Sequence, residues 1–191
     1  MPKGSAAREG TLTELTIRPA TMADLPSLRA IMAAAIRENL KPFLPDELIR
    51  SSERIMGLDT KLIEDGGYWI VLSDGEPAGC GGWSRRKTLY GGDHTEGRDD
   101  AVLDPAVDAA RVRAMYTHPS FVRRGVGRLI LARCEADAGA EGFSRLELVA
   151  TLSGEPLYRA YGFQELERFN DQGVPLIRMA KTVETGSDHS A

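Results

Sequence analysis

The chain has 191 residues, 42% of them hydrophobic and 27% charged, with a formal net charge of −4. Those values fit one globular domain with a real core and exclude wholesale disorder. An acidic total argues against a nucleic-acid binder held by bulk electrostatics, and the lack of any apolar run of membrane-spanning length argues against a membrane protein. Cys80 and Cys134 lie far apart without metal-type spacing, so neither a disulfide framework nor a zinc site is indicated. The N-terminal "MPKGSAAREG" carries no apolar signal core, which leaves a cytoplasmic protein as the expectation.

In chain order the pattern predicts a mixed α/β domain over 11–183, with a flexible leader at 1–10 and a disordered tail at 184–191. "LTELTIRPA" alternates Leu12, Glu14, Thr16 with Leu15, Ile17, which suits a strand. "TMADLPSLRAIMAAAIREN" offers Thr21 as N-cap, Asp24 as its capping partner, and Leu25, Leu28, Ile31, Met32, Ala35 and Ile36 on one helical face. "PDELIRSSERIMGL" predicts a second helix, with Pro45 near its start and Gly57 near its end. "YWIVLSDGEPAGCGGWS" reads as a hairpin turning at Asp74-Gly75.

From 85 to 108 the periodicity disappears into a Gly- and Asp-rich excursion. A loop this long in a compact domain tends to be functional or disordered. "ARVRAMYTHP" resumes as a strand ending at Pro119, with Val112, Ala114 and Tyr116 expected on one face and Arg111 and Arg113 on the other. A helix follows from Gly125 to about Ala140, with Leu129, Ile130, Cys134 and Ala138 toward the core. "SRLELVA" is a strand, "GEPLYRAYGF" a short helix ending at Gly162, and "QELERFN" with "VPLIRMAKTV" a closing pair of strands.

"SFVRRGVGRLILARC" places two glycines and three arginines where a helix begins, and no acid in its first turn. A helix N-terminus exposes unpaired N–H groups and partial positive charge, so it suits an anion. Gly125 and Gly127 would let a phosphate approach the backbone, and Arg123, Arg124 and Arg128 would add bidentate donors. The plainer reading is a turn with solvated arginines. A Walker A loop needs Gly-Lys followed by Ser or Thr, which is missing, and the third glycine of a dinucleotide fingerprint is replaced by Ile130.

"RAMYTHPSFVRRGVGRLILARCEADA" resembles the acyl-CoA-binding core of the GNAT superfamily of N-acetyltransferases. "ELVATLSGEPLYRAYGFQELER" is similar to the next section of that fold, ending in Tyr158, Gly162 and Phe163. Together they cover roughly 113–168. One departure is Val122, where the family usually has Gln or Arg at the head of the loop. The resemblance implies a mixed, mostly antiparallel sheet of six to seven strands flanked by about four helices, with splayed fourth and fifth strands. It implies acetyl-CoA as co-substrate. Met115, Tyr116 and Thr117 would offer backbone groups to its pantetheine arm, and Arg123, Arg124, Gly125, Val126, Gly127 and Arg128 would wrap its pyrophosphate. An N–H near Met115 would hold the developing oxyanion, and Tyr158 would protonate the departing thiolate.

The implied activity is acetyl transfer to a primary amine of a small molecule or peptide by direct attack, with no nucleic acid or membrane as partner; a homodimer is common in the family. The general base is left open among His94, His118 and a water chain to a carboxylate of the excursion, with His189 a poor candidate. The acid in 85–108 suggests attraction of a cationic amine, against the plainer reading of a solvated loop. Trp83, Leu89 and Tyr90 either cover core or build a pocket wall, and the resemblance implies a second wall in "ENLKPFLP", with Phe43. A catalytically silent acyl-CoA sensor is the alternative function, distinguished by binding without turnover.

Overall fold

Strand and helix periods alternate along the chain, and the structure, a computed structural model that describes residues 14–183, follows them. The leader at 1–10, Leu12, His189 and the tail at 184–191 lie outside the described residues. β1 (Leu15–Pro19) leads through a 3-10 turn to α1 (Leu25–Asn39). There the Asp24 carboxylate accepts from the Thr21 N–H at 2.8 Å and from its hydroxyl at 3.0 Å, the predicted partnership. α2 (Asp46–Ile55) starts directly after Pro45. α3 (Thr60–Glu64) is a single turn that the sequence pattern did not predict, capped by the Asp59 carboxylate.

β2 (Tyr68–Ser73) and β3 (Glu76–Ser84) form the predicted hairpin. Asp74 and Gly75 take φ of 50° and 87°, the positive values a tight hairpin turn requires. After the excursion come β4 (Ala110–Thr117), α4 (Val126–Ala140), β5 (Arg145–Thr151), α5 (Glu155–Ala160), β6 (Gln164–Asp171) and β7 (Val174–Thr182). The fold therefore has five α-helices against the four expected, among the described residues. None of them is long and apolar enough to cross a membrane.

The seven strands form one sheet in the order β1-β2-β3-β4-β5-β7-β6. Every neighbouring pair is antiparallel except β4–β5, which is parallel and short: only Ala110–Leu146 and Arg111–Glu147 are in register. Beyond Arg111 the two strands part, so the expected splay is present. Its closed end is held by Glu147, which accepts from Arg111 of β4 at 2.5 Å and from Arg178 of β7. Those two guanidiniums hold the Glu147 carboxyl below its ordinary range although burial pushes the other way.

The sheet is covered on both faces. On one, α4 buries Ile130, Leu131, Cys134 and Ala138 against Val112, Leu148 and Met179. On the other, α1, α2 and α3 bring Leu28, Ile31, Ile49 and Leu62 onto Ile70, Tyr116 and Leu176. Each such aliphatic side chain contributes roughly 1.5–3 kcal/mol on leaving water. β3 supplies glycine where α4 comes closest: a Cβ on Gly79 would lie 2.4 Å from Val126 Cγ1 and 2.9 Å from the Tyr116 carbonyl. Both cysteines are buried and free.

One expectation about faces is corrected. Arg113 pairs with Gly82 and Tyr116 with Cys80, so three steps along β4 face two along β3. The extra residue is a β-bulge, centred on Ala114 with φ 50°. Because side chains alternate with a period of two, one inserted residue swaps the faces that follow it. Val112 packs on the α4 side, whereas Ala114 and Tyr116 face the α1–α3 side, and Arg113 is buried.

Arg113 organises the 85–108 excursion. Its guanidinium donates to Asp59 at 3.0 Å, to the Thr88 carbonyl at 3.1 Å and to the Gly91 carbonyl at 3.0 Å. Asp59, 1% exposed, also accepts from Arg98 of the excursion at 2.9 Å and from the Lys61 N–H. Burial lowers the pKa of Arg113, and Asp59 opposes that shift. Farther out, Leu103, Lys87 and Thr88 donate N–H groups across the excursion to Arg85, Ala101 and Asp99, so its two limbs run side by side. Asp59→Ala would leave the buried Arg113 guanidinium without its counter-ion and half-buried Arg98 without its shortest ion pair, and is expected to cost about 3–5 kcal/mol in urea unfolding. Arg113→Met leaves Asp59 paired with Arg98 and should cost less by the same measurement.

Candidate active site

Past the bulge, the last residues of β4 face the gap that β5 leaves. Met115, Tyr116 and Thr117 all lie there, in the stretch of β4 that has no β5 partner. Their surroundings differ. Met115 packs against the α4-side core, while Tyr116 turns its ring to the other face and donates its hydroxyl to the Gly57 carbonyl at 3.2 Å. The Thr117 carbonyl accepts from the Asn39 amide at the end of α1, at 2.9 Å.

The chain then reverses through Pro119–Phe121 into α4. His118 caps this 3-10 turn, its Nδ1 accepting from the Ser120 N–H at 3.2 Å, which is a structural role in the turn. Arg123 and Gly125 both take positive φ, 64° and 87°. Backbone reversals of this kind turn successive N–H groups toward one side and make anion-binding concavities. Gly125 is the N-cap of α4, where it supplies no side-chain cap, and no acid occupies the first turn. The N–H groups at the start of α4 are thus left for a ligand.

Charge is distributed to match. Most arginines of the chain are tied to carboxylates or carbonyls, among them Arg86, Arg98, Arg111, Arg113, Arg159 and Arg178. Arg123, Arg124 and Arg128 are exposed and make no ion pair among the described residues. Arg124 lies over the Phe121 ring at 5.5 Å and Arg128 over the Tyr161 ring at 5.7 Å, contacts that orient a cation without neutralising it. Val122 is exposed, so the departure from the family pattern adds no donor here.

The two glycines do different work. A Cβ on Gly125 would meet only Leu15 Cδ1, at 3.9 Å, so the backbone angle is what requires glycine there. A Cβ on Gly127 would come within 2.6 Å of Leu157 Cδ2, so this position lets α4 lie against α5. Gly127 thus has a packing reason of its own to be glycine, beside the ligand's approach expected for both. Val126 is buried under β3 and can offer only its main chain.

Tyr158 follows Leu157 on α5. It is 7% exposed, set edge-on to Phe163 with ring centroids 5.9 Å apart, and its hydroxyl has no hydrogen-bond partner among the described residues. Burial raises its pKa well above the ordinary tyrosine value, so it holds its proton across the neutral range. It belongs to the same core cluster that Met115 packs against. Phenol, bulge and cationic turn thus stand around one gap in the sheet.

Four of the six acids of the excursion accept from backbone N–H groups, three of them within the excursion itself. Asp93 accepts from the Thr60 N–H, Asp99 from Ala101, Asp104 from Ala106 and Asp108 from Asp104. Asp100 lies 3.6 Å from Arg98. Glu96 makes no hydrogen bond or ion pair among the described residues. It lines a cavity of about 400 Å³ with Arg54, Tyr90, His94, Asp171 and Gln172. His94 Nε2 donates to the Arg54 carbonyl at 2.6 Å, which ties the excursion to the end of α2. Asp59 and Arg113 were not legible as partners in the sequence; 54 residues separate them. Among the described residues no group of His, Cys, Asp and Glu could hold a metal ion.

Comparison with known proteins agrees with this geometry. The sequence model of the Acetyltransferase (GNAT) family matches residues 30–163. A stretch of 111 residues is 29% identical to the uncharacterized N-acetyltransferase YsnE of Bacillus subtilis (strain 168), taking in 56% of this chain and 61% of that protein. The match thus spans about three fifths of that curated relative. Among solved structures, the GCN5-related N-acetyltransferase of Rhodopseudomonas palustris superposes with a TM-score of 0.65 at 19% identity, over 90% of this chain and 98% of that one. The PaiA N-acetyltransferase of Thermoplasma acidophilum, in complex with coenzyme A, gives 0.62 at 13% identity, over 88% and 99%. YncA of Salmonella typhimurium, with its cofactor acetyl-CoA, gives 0.58 at 16% identity, over 93% and 99%. At these identities the structures show a common fold.

Gly125→Ala keeps the volume of the turn free but forces a Cβ onto a positive φ. It is expected to lower stability by about 1–2 kcal/mol in denaturant unfolding, with no change in the secondary-structure spectrum.

Proposed function

The chain belongs to the Acetyltransferase (GNAT) family, and on that premise we propose that it moves the acetyl group of acetyl-CoA to a primary amine of a small molecule or peptide by direct attack. The observation that carries the reading is the uncapped start of α4, ringed by three unpaired guanidiniums, at the mouth of the β4–β5 gap. That arrangement fits a diphosphate attached to a narrow, uncharged arm. The diphosphate takes the N–H groups around Gly125 and charge from Arg123, Arg124 and Arg128, and the arm takes strand-like hydrogen bonds along Met115, Tyr116 and Thr117.

Acetyl-CoA, when bound, supplies a thioester whose carbonyl carbon accepts the amine nitrogen as the C–S bond breaks. The chain's part is to position, to polarise and to hold a proton. A main-chain N–H at the bulge, that of Met115, donates to the carbonyl oxygen as negative charge grows there, a contact worth several kcal/mol when preorganised. The Tyr158 hydroxyl, kept neutral by burial and free of other partners, gives its proton to the departing sulfur. The proton lost by the amine leaves through solvent. The cavity of about 400 Å³ between the end of α2, the excursion and the β6–β7 turn supports an acceptor arriving from the α1–α3 side, with Glu96 as its one carboxylate free to meet a cationic amine.

A thiol-release assay with acetyl-CoA and a panel of amines tests the reading; coenzyme binding without release across the panel would favour the silent sensor instead. Tyr158→Phe should lower kcat by about 10²-fold or more while the Kd for acetyl-CoA stays within about twofold. The paired change Arg123→Gln with Arg124→Gln should do the reverse, raising KM for acetyl-CoA roughly tenfold and flattening its salt dependence with kcat little altered. Unchanged KM and salt dependence would remove the arginines from the site.

A further inference from the structure

Tyr68 on β2 is among the most deeply buried side chains of the molecule, 1% exposed, and it is far from the cationic turn in sequence and in the sheet. Its hydroxyl reaches across β3 to β4 and donates to the carbonyl of Ala114 at 2.7 Å. Ala114 is the bulged residue, with φ 50° on a side chain that disfavours it. A strained residue in the middle of a strand persists only where its surroundings hold it. Here β3 makes the space: a Cβ on Gly81 would fall 2.4 Å from Met115 Sδ, and one on Gly82 would fall 2.8 Å from the Tyr68 ring. The glycines of "AGCGGW" thus admit both the bulge and the ring that reaches it.

The peptide that follows Ala114 is planar and trans, so its C=O and N–H point in opposite directions. The carbonyl end belongs to Ala114 and the N–H end to Met115. Tyr68 holds the carbonyl from the β2–β3 side of the sheet. The Met115 N–H therefore points opposite to that carbonyl, away from the Tyr68 hydroxyl, in the stretch of β4 that has no β5 partner. We propose that Tyr68 is a positioning residue that sets the direction of the Met115 N–H through its hydrogen bond to the Ala114 carbonyl. The inference rests on the functional reading above, in which that N–H polarises the thioester oxygen. Tyr68 itself touches no reacting atom.

Burial and one neighbour keep Tyr68 a donor. Burial raises the pKa of the phenol well above its ordinary value, and the Cys80 thiol beside it is likewise pushed up to about 12, so neither ionises in the neutral range. The bond therefore persists at any pH at which an amine acceptor is partly neutral.

Tyr68→Phe keeps the ring and removes only the donor. In thiol release it should lower kcat by roughly ten- to a hundredfold, with KM for acetyl-CoA within about twofold of wild type. Ser52→Ala serves as the matched control, because Ser52 is fully buried and loses an equivalent hydroxyl-to-carbonyl bond, to Leu48 at 2.8 Å on α2. It should lose a comparable amount of thermal stability with kcat unchanged. A second readout needs no turnover: in the ligand-free protein, the Met115 amide resonance of Tyr68→Phe should shift or broaden while the α5 amides stay in place. A Met115 resonance that does not move, or a kcat within about twofold of wild type, overturns the proposal. If wild type neither binds nor cleaves acetyl-CoA, the functional reading falls on its own, and the Met115 resonance still decides whether Tyr68 holds the bulge.

Discussion

Two residue pairs are all that join β4 to β5, and the rest of the molecule is arranged around keeping that junction short. A sheet left to itself continues its ladder, because unpaired backbone groups away from water are costly. Here the ladder is stopped from both ends. Glu147, clamped between Arg111 and Arg178, fastens the strands where they meet. The bulge at Ala114 turns β4 off its line where they would otherwise go on, while β5 keeps its full register with β7. The result is a cleft whose walls are main chain, so its hydrogen-bonding capacity does not depend on side chains that can rotate.

The same economy governs charge. Buried or half-buried guanidiniums are answered individually, Arg113 and Arg98 by Asp59, Arg111 and Arg178 by Glu147. An unpaired buried charge costs several kcal/mol, whereas an unpaired exposed one costs little. Three of its uncompensated cations, Arg123, Arg124 and Arg128, stand where water can solvate them, at the lip of α4. An incoming dianion replaces that water without first having to break an ion pair.

Much of this was legible in the sequence, and the illegible parts share a cause. Local patterns carried the hairpin at Asp74-Gly75, the helices at 25–39 and 126–140, and the cationic turn, because each is set by residues within a few positions of one another. The swap of faces along β4 was not legible, since strict alternation from Val112 through Tyr116 is what a regular strand would show and the bulge leaves no mark in β4 itself. Its trace lies in β3, as glycines at 79, 81 and 82. The partner of Arg113 was not legible because Asp59 sits at the cap of a one-turn helix too short to have a period. The acid of 85–108 suggested a lure for cations, but Asp99, Asp104 and Asp108 accept from backbone amides within the excursion and Asp93 from Thr60, a use that composition cannot reveal.

The contact between Gly127 and Leu157 ties together two tasks that chemistry would allow to be separate. The residue beside Leu157 is Tyr158, so whatever shifts the first turn of α4 shifts the phenol with it. On the proposed function, evolution toward a bulkier donor would then meet a mechanical obstacle before a chemical one: loosening the proposed grip on the carrier would also shift the proposed proton source. A lineage wanting a new acyl group would more easily reshape the walls of the cleft than its hinge.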